Sequence, residues 1–68
     1  MFEISVFYKT NIIRTYRKDV VQAEELTAGF ILNCYVDIYL DILNEAFING
    51  WVKDKNDLKI ISFEIKEM

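Results

Sequence analysis

The sequence predicts an α+β fold, with an N-terminal β-hairpin and a C-terminal strand in one sheet beside a helical middle segment. Three observations support this prediction. Polar and apolar residues alternate near both ends of the chain, polar residues recur at helical spacing in the middle, and Asn49-Gly50 is a typical helix stop. Since the chain has 68 residues, we expect one small domain that spans residues 1–68.

The first strand is predicted at residues 2–9, where apolar residues alternate with polar ones. Residues 9–11 are predicted to form a hairpin connection, and residues 12–18 are rich in the Ile, Thr and Tyr that favour strands. The two faces of this second strand comprise Ile12, Arg14, Tyr16 and Lys18 on one side and Ile13, Thr15 and Arg17 on the other.

The middle segment is predicted to be helical from about residue 20 to residue 49. Asp19 is a candidate N-cap, and Glu24 and Glu25 would follow it in the first turn. A helical polar stripe comprises Gln22, Glu25, Gly29, Asn33, Asp37, Asp41 and Asn44. Gly50 fits a left-handed C-cap with Trp51 folded back on the last turn. Because one such helix would outreach the strands, we expect a break near Gly29.

A competing interpretation makes residues 35–43 a strand in a ββαββ order. Val36, Ile38, Leu40 and Ile42 alternate with other residues there, and Asn49-Gly50 would then be a hairpin turn. In both interpretations residues 53–57 form a polar loop. The last strand follows at residues 58–66, and its expected core residues are Ile61, Phe63 and Ile65.

The composition argues against catalysis and for association with another surface. The chain has no histidine, one cysteine and two glycines, so the usual catalytic arrangements, zinc sites and phosphate loops cannot be built. We therefore expect that the chain is not an enzyme and that it binds no metal and no cofactor. The chain is 53% hydrophobic, which is more apolar material than a small core hides. A homodimer packed through Ile38, Ile42, Leu43 and Phe47 is one way to cover it.

The cellular location of the protein can be predicted from Cys34 and from the polar residues of the middle segment. A single cysteine excludes a disulfide within the monomer, which favours a reducing compartment, and Cys34 is expected to be a small buried apolar residue. Asp37, Asp41 and Glu45 interrupt the apolar run of residues 30–48, so a transmembrane segment is not expected. We expect a cytoplasmic protein.

The charge distribution is the most informative feature of the sequence for function. Residues 19–50 contain six acids and no Lys or Arg, for a charge of −6, whereas residues 1–18 carry +3. Such a one-sign block makes a directional field that favours a partner with a basic surface. The candidate partner-binding residues are Asp37, Asp41, Glu45, Trp51, Asp54 and Asp57.

The basic residues of the hairpin suggest a weaker alternative. Arg14, Arg17 and Lys18 near Tyr8 and Tyr16 have the composition of a nucleic-acid surface, as in an antitoxin-like or transcriptional accessory domain. The sequence pI of about 4.7 argues against this, because phosphate contacts need net positive charge. We expect these cations to form salt bridges with the acidic middle segment, and we expect no direct contact with nucleic acid.

The segment Ala46-Phe47-Ile48-Asn49-Gly50-Trp51 resembles one in a family of small anti-CRISPR proteins that inhibit the type II CRISPR nuclease. Members of that family are short, acidic α+β proteins of phages, whose acids imitate DNA phosphates and occupy the DNA-recognition cleft of the nuclease. The resemblance covers six residues. By analogy of charge alone, it implies a partner face formed by Asp37, Asp41, Glu45, Asp54 and Asp57.

These observations lead to one functional hypothesis and one alternative. The first is a non-catalytic, protein-binding inhibitor of phage or mobile-element origin, which docks an acidic face on a basic host protein that itself binds nucleic acid. The alternative is a small homodimeric structural or regulatory protein.

Overall fold

The computed structural model describes all of residues 1–68 and confirms the α+β fold. In chain order, its elements are β1 (Phe2–Lys9), β2 (Arg14–Val21), α1 (Ala28–Ile48), a 3-10 turn (Lys55–Asp57) and β3 (Lys59–Glu67). The strands form one antiparallel sheet in the order β2-β1-β3. The helix covers one face of this sheet, and the other face is uncovered.

The central strand β1 divides its side chains between the two faces of the sheet. Ile4, Val6 and Tyr8 lie under the helix and are fully or almost fully buried. Because successive residues of a strand point to opposite faces, Glu3, Ser5, Phe7 and Lys9 lie on the uncovered side, which we call the open sheet face. The core is therefore one layer thick, between β1 and α1.

The prediction that Asp19 caps a helix is wrong. Asp19 lies inside β2 opposite Ile4, and β2 continues to Val21, which pairs with Phe2. The β-branched residues Val20 and Val21 favour this extension, so that pairing with the central strand prevails over the local capping signal. Glu24 and Glu25 therefore belong to a connection between β2 and α1, outside the helix.

The middle of the chain is one helix, so the predicted break near Gly29 and the alternative strand at residues 35–43 are both wrong. The helix begins after Thr27, whose side-chain oxygen accepts a hydrogen bond of 3.1 Å from the amide of Phe30. Its 21 residues span about 31 Å, which is close to the roughly 27 Å of an eight-residue strand. The later start removes the length mismatch that suggested a break.

The helix ends as the sequence predicts. Gly50 has a φ of +73°, and its amide donates to the carbonyl of Phe47 over 3.1 Å. The amide of Trp51 donates to the carbonyl of Ala46 over 2.8 Å, which completes a Schellman motif. The indole of Trp51 packs against the core, in which Ala46 is fully buried.

The last strand differs from the prediction by one residue of register. The pairing with β1 shifts between Phe7 and Tyr8, so Ser62 lies opposite Phe7 and Ile60 lies opposite Tyr8. Ile61 is the extra residue of this β-bulge and is 49% exposed. The core residues of β3 are therefore Ile60, Phe63 and Ile65, and the expected core position of Ile61 is wrong.

We expect the substitution Ile42→Ala to lower the free energy of unfolding by about 2–5 kcal/mol, because it leaves a cavity in the core. Ile42 is 0% exposed, between α1 and the sheet. The matched control is Leu40→Ala in the same helix, where the side chain is 55% exposed and the expected loss is within about 0.5 kcal/mol. Urea unfolding monitored by circular dichroism measures both, and equal losses would contradict this packing.

Candidate functional site

Three candidate acids lie along one side of α1. Asp37, Asp41 and Glu45 are exposed, at intervals of one helical turn, and the first and last are about 12 Å apart along the axis. Only Asp41 has an ion pair, because the guanidinium of Arg17 donates to its carboxylate over 3.2 Å. Asp37 and Glu45 have no basic side chain within 4.0 Å. Their negative charge is therefore uncompensated within the chain.

Arg17 joins the acidic side of the helix to the sheet. It donates to Asp19 over 3.0 Å within β2 and also to Asp41 of α1. Burial opposes the charged form of Arg17, but these hydrogen bonds and the two carboxylate charges outweigh it and raise the pKa of the guanidinium. Arg17 therefore remains a cation, and its single charge is shared between the two nearest acids, Asp19 and Asp41.

A cleft of about 250 Å³ lies between β2 and α1. Its charged and polar lining residues are Arg17, Asp19, Cys34, Asp37 and Asp41. Cys34 is half-buried, so it is more accessible than the sequence predicts. Burial, followed by the charge of Asp37, raises the pKa of the Cys34 thiol, which keeps it in the less reactive protonated form. No group of three acids, cysteines or histidines is arranged to hold a metal ion.

Glu45 influences the core through its charge. Burial raises the pKa of the Tyr8 hydroxyl, and the nearby carboxylate of Glu45 raises it further, while Arg17 acts in the opposite direction. Tyr8 is therefore a neutral phenol of the core. Glu45 lies at the boundary between the buried side of α1 and its exposed acidic side.

Asp54 and Asp57 stabilise the turn between α1 and β3. Asp54 accepts a hydrogen bond of 2.8 Å from the amide of Asn56, and Asp57 accepts from the amides of Lys53 and Asp54 over 3.0 and 3.2 Å. The bond from Lys53 and one from the side chain of Asn11 lower the pKa of Asp57. Both carboxylates therefore have local structural partners.

Trp51 and Asp57 line a second cleft, of about 270 Å³, next to the hairpin connection. Asn11, Ile12, Gly50 and Lys53 complete its lining. The predicted partner-binding residues therefore do not form one surface. Asp37 and Asp41 line the cleft beside β2, Trp51 and Asp57 line the cleft beyond the helix end, and Glu45 and Asp54 line neither.

The residues expected in a dimer interface also separate. Ile38 and Ile42 are buried in the core of a single chain, so they cannot pack against a partner, and that part of the expectation is wrong. Leu43 is half-buried against the core, while Phe47 is exposed.

The sequence interpretation missed a line of exposed apolar residues on the outward side of the helix. Leu32, Val36 and Leu40 recur at intervals of four residues and are exposed. Because residues three apart are neighbours on a helix, Leu40 adjoins Asp37. The signal was present in the narrowness of the polar stripe, which leaves more apolar positions on α1 than one sheet covers.

The structure corrects the expected pairing of the basic hairpin residues. Arg17 binds the acidic helix as expected. Arg14 has no ion pair within 4.0 Å, and Lys18 lies 3.8 Å from Glu3, across the open sheet face. The physical reason is strand alternation, which directs Arg17 to the covered face and both of its neighbouring cations to the other.

Comparisons of the chain with family models, with curated proteins and with solved structures give no match. The structure contains no helix that combines the length and the apolar character needed to cross a bilayer.

We expect Asp57→Ala to lower the melting temperature at neutral pH, because two backbone amides lose their acceptor. The pKa of Asp57 is lower in the folded chain than its ordinary value of 3.8, so its stabilisation is complete above that value. It is lost as the pH falls through the lower, folded pKa. Thermal melts of both proteins across the acid range should therefore converge at low pH. A difference in melting temperature that stays constant across the pH range would contradict this role of the Asp57 carboxylate. Asn56→Ala is the control substitution at the neighbouring position.

Proposed function

We propose that this chain is a non-catalytic inhibitor that docks the acidic side of α1, formed by Asp37, Asp41 and Glu45, on a basic surface of a host protein. The single observation that supports this most is the uncompensated charge of Asp37 and Glu45, on a helix that itself contains no Lys or Arg. Asp41, between them, is only partly balanced by Arg17 because its side chain remains exposed. A partner with Lys or Arg side chains at this spacing would supply the missing countercharges.

The apolar line, which adjoins Asp37 at Leu40, provides the second part of the interaction. Leu32, Val36 and Leu40 are exposed on α1, and burying them against a partner would supply most of the affinity. The acids would accelerate association and select partners of opposite charge. Asp54 and Asp57 have local hydrogen-bond roles, and we assign them no direct contact in this proposal.

The spacing of the acidic side chains along α1 indicates the class of partner. Acids repeated along a line of about 12 Å present a charge pattern that a phosphate-binding surface accommodates. We therefore propose a partner that binds nucleic acid, whose basic surface the chain blocks. The similarity of residues 46–51 to anti-CRISPR inhibitors supports a phage or mobile-element origin, with action in the host cytoplasm. The lack of histidine and the protonated state of Cys34 support a non-catalytic mode of action.

We expect the double variant Asp37→Asn/Glu45→Gln to lose its host partner, because it removes the two uncompensated charges without changing side-chain size. The measurement is capture of host-lysate proteins on the tagged chain at low and high salt, followed by mass spectrometry. A protein that the wild type retains at low salt, and that heparin displaces, would support the proposal.

The matched control is Glu24→Gln/Glu25→Gln, which removes the same charge from the exposed connection before α1. It should retain the partner. Retention by both double variants, or binding that high salt and heparin leave unchanged, would contradict the acidic docking surface.

A second candidate function, a homodimeric structural or regulatory protein, is favoured by the exposed apolar line itself. Two copies could pack α1 against α1 through Leu32, Val36 and Leu40, burying apolar surface that a monomer exposes. Sedimentation velocity at micromolar concentration tests this, and we expect Leu40→Glu to shift any dimer to monomer. A monomeric wild type would remove the candidate, and Glu24→Gln serves as a control that should not alter the mass.

A further inference from the structure

The open sheet face has the opposite charge to the rest of the molecule. Its cations are Lys9, Arg14, Lys18, Lys59 and Lys66. Its acids are Glu3 and Glu64, so the face carries +3, whereas the whole chain carries −3. The sequence does not show this separation, because it depends on which residues of three strands share a face.

Three of these cations form a row across the sheet. Arg14 lies directly opposite Lys9, and Lys9 lies directly opposite Lys59, on strands about 4.8 Å apart. None of the three has an acidic partner within 4.0 Å. Like charges placed opposite one another destabilise a sheet. An anion bound from outside the chain would relieve this repulsion.

The next row of the same face carries two aromatic rings. Phe7 and Tyr16 pair across β1 and β2, with ring centres 5.5 Å apart, and are 40% and 55% exposed. The ammonium group of Lys18 lies 5.8 Å from the centre of the Tyr16 ring. No other element of the chain covers these two rings.

We propose that the open sheet face binds single-stranded nucleic acid. The rings of Phe7 and Tyr16 provide a stacking platform for bases, and the row of Arg14, Lys9 and Lys59 binds the adjoining phosphates. This combination of rings and cations distinguishes the ligand. An acidic peptide would satisfy the cations without using the ring faces, and a duplex keeps its bases stacked inside.

The charge of the rest of the molecule does not prevent this binding. The acids of α1 lie on the other side of a molecule that measures 17 to 19 Å across its shorter axes. Salt screens charges beyond about 8 Å at physiological ionic strength. The expectation of no direct nucleic-acid contact rested on the pI of the whole chain, whereas binding depends on the local field of one face. A second copy of this chain would be repelled if it docked by the same face.

The experiment is fluorescence anisotropy of labelled oligothymidylate and oligouridylate across a salt series, with the full chain. We expect a plot of the logarithm of the association constant against the logarithm of the salt concentration to have a slope of about −2. This is the slope that three phosphate contacts predict for a single strand. Arg14→Ala should weaken binding and reduce the slope by about 0.7. Tyr16→Leu should weaken binding by about fivefold or more, from loss of stacking, with the slope unchanged.

Lys55→Ala is the matched control, since it removes one exposed cation outside the open sheet face and should leave binding unchanged. Thermal melts establish that each variant is folded, and Tyr16→Leu retains an apolar neighbour for Phe7. No anisotropy change with either oligonucleotide at low salt would overturn the proposal. So would binding that Tyr16→Leu leaves intact, or equal affinity for duplex DNA or anionic lipid vesicles, because each indicates only a general attraction to polyanions.

Binding by the open sheet face is independent of the proposed docking of α1. The variants Asp37→Asn/Glu45→Gln change the helix side and should leave oligonucleotide binding intact, while Tyr16→Leu should leave capture of a host protein intact. Failure of one proposal is therefore distinguishable from failure of the other. If both hold, the chain contacts a nucleic-acid-binding protein through α1 and a single strand through the sheet.

Discussion

The rest of the structure depends on the alternation of side chains along the central strand β1. Burial of Ile4, Val6 and Tyr8 beneath α1 fixes which face of β1 points inward. Because β1 pairs with β2 on one side and β3 on the other, its register also determines which side chains of those strands point inward. A shift of one residue would move the apolar set of β1 to solvent. The same constraint places Arg17 beside the helix acids and Tyr16 on the open sheet face.

This arrangement gives the molecule two chemically different surfaces. On one side, α1 exposes acids and an apolar line, and on the other side three strands expose cations and two rings. Arg17 is a cation of the sheet that lies on the covered face and donates a hydrogen bond to Asp41 of α1. A core one layer thick separates the two surfaces, so a small chain has room for two independent interactions.

The sequence predicted the features that depend on local chemistry. The hairpin, the final strand and the C-cap at Gly50 follow from alternation and from the tolerance of glycine for positive φ. The start of α1 was mispredicted because the capping signal at Asp19 competes with strand pairing, which is a non-local contact. The bulge at Ile61 was missed for the same reason, since register is set between strands. The predicted polar stripe placed Asp37 and Asp41 on one side of α1, but only packing shows that Asp54 and Asp57 cap a turn and that Arg14 has no carboxylate partner.

The bulge in β3 has a consequence for how this molecule behaves when it is concentrated. The sheet has two outer strands whose backbone groups are unpaired on one side, and such an edge is a template on which another chain can add as a strand. In β3, the extra residue at Ile61 distorts the hydrogen-bonding ladder. The strand also contains the charged residues Lys59, Glu64 and Lys66. Native proteins use these two devices to discourage strand addition. The bulge and these charges therefore discourage a further copy of the chain from pairing with the outer edge of β3.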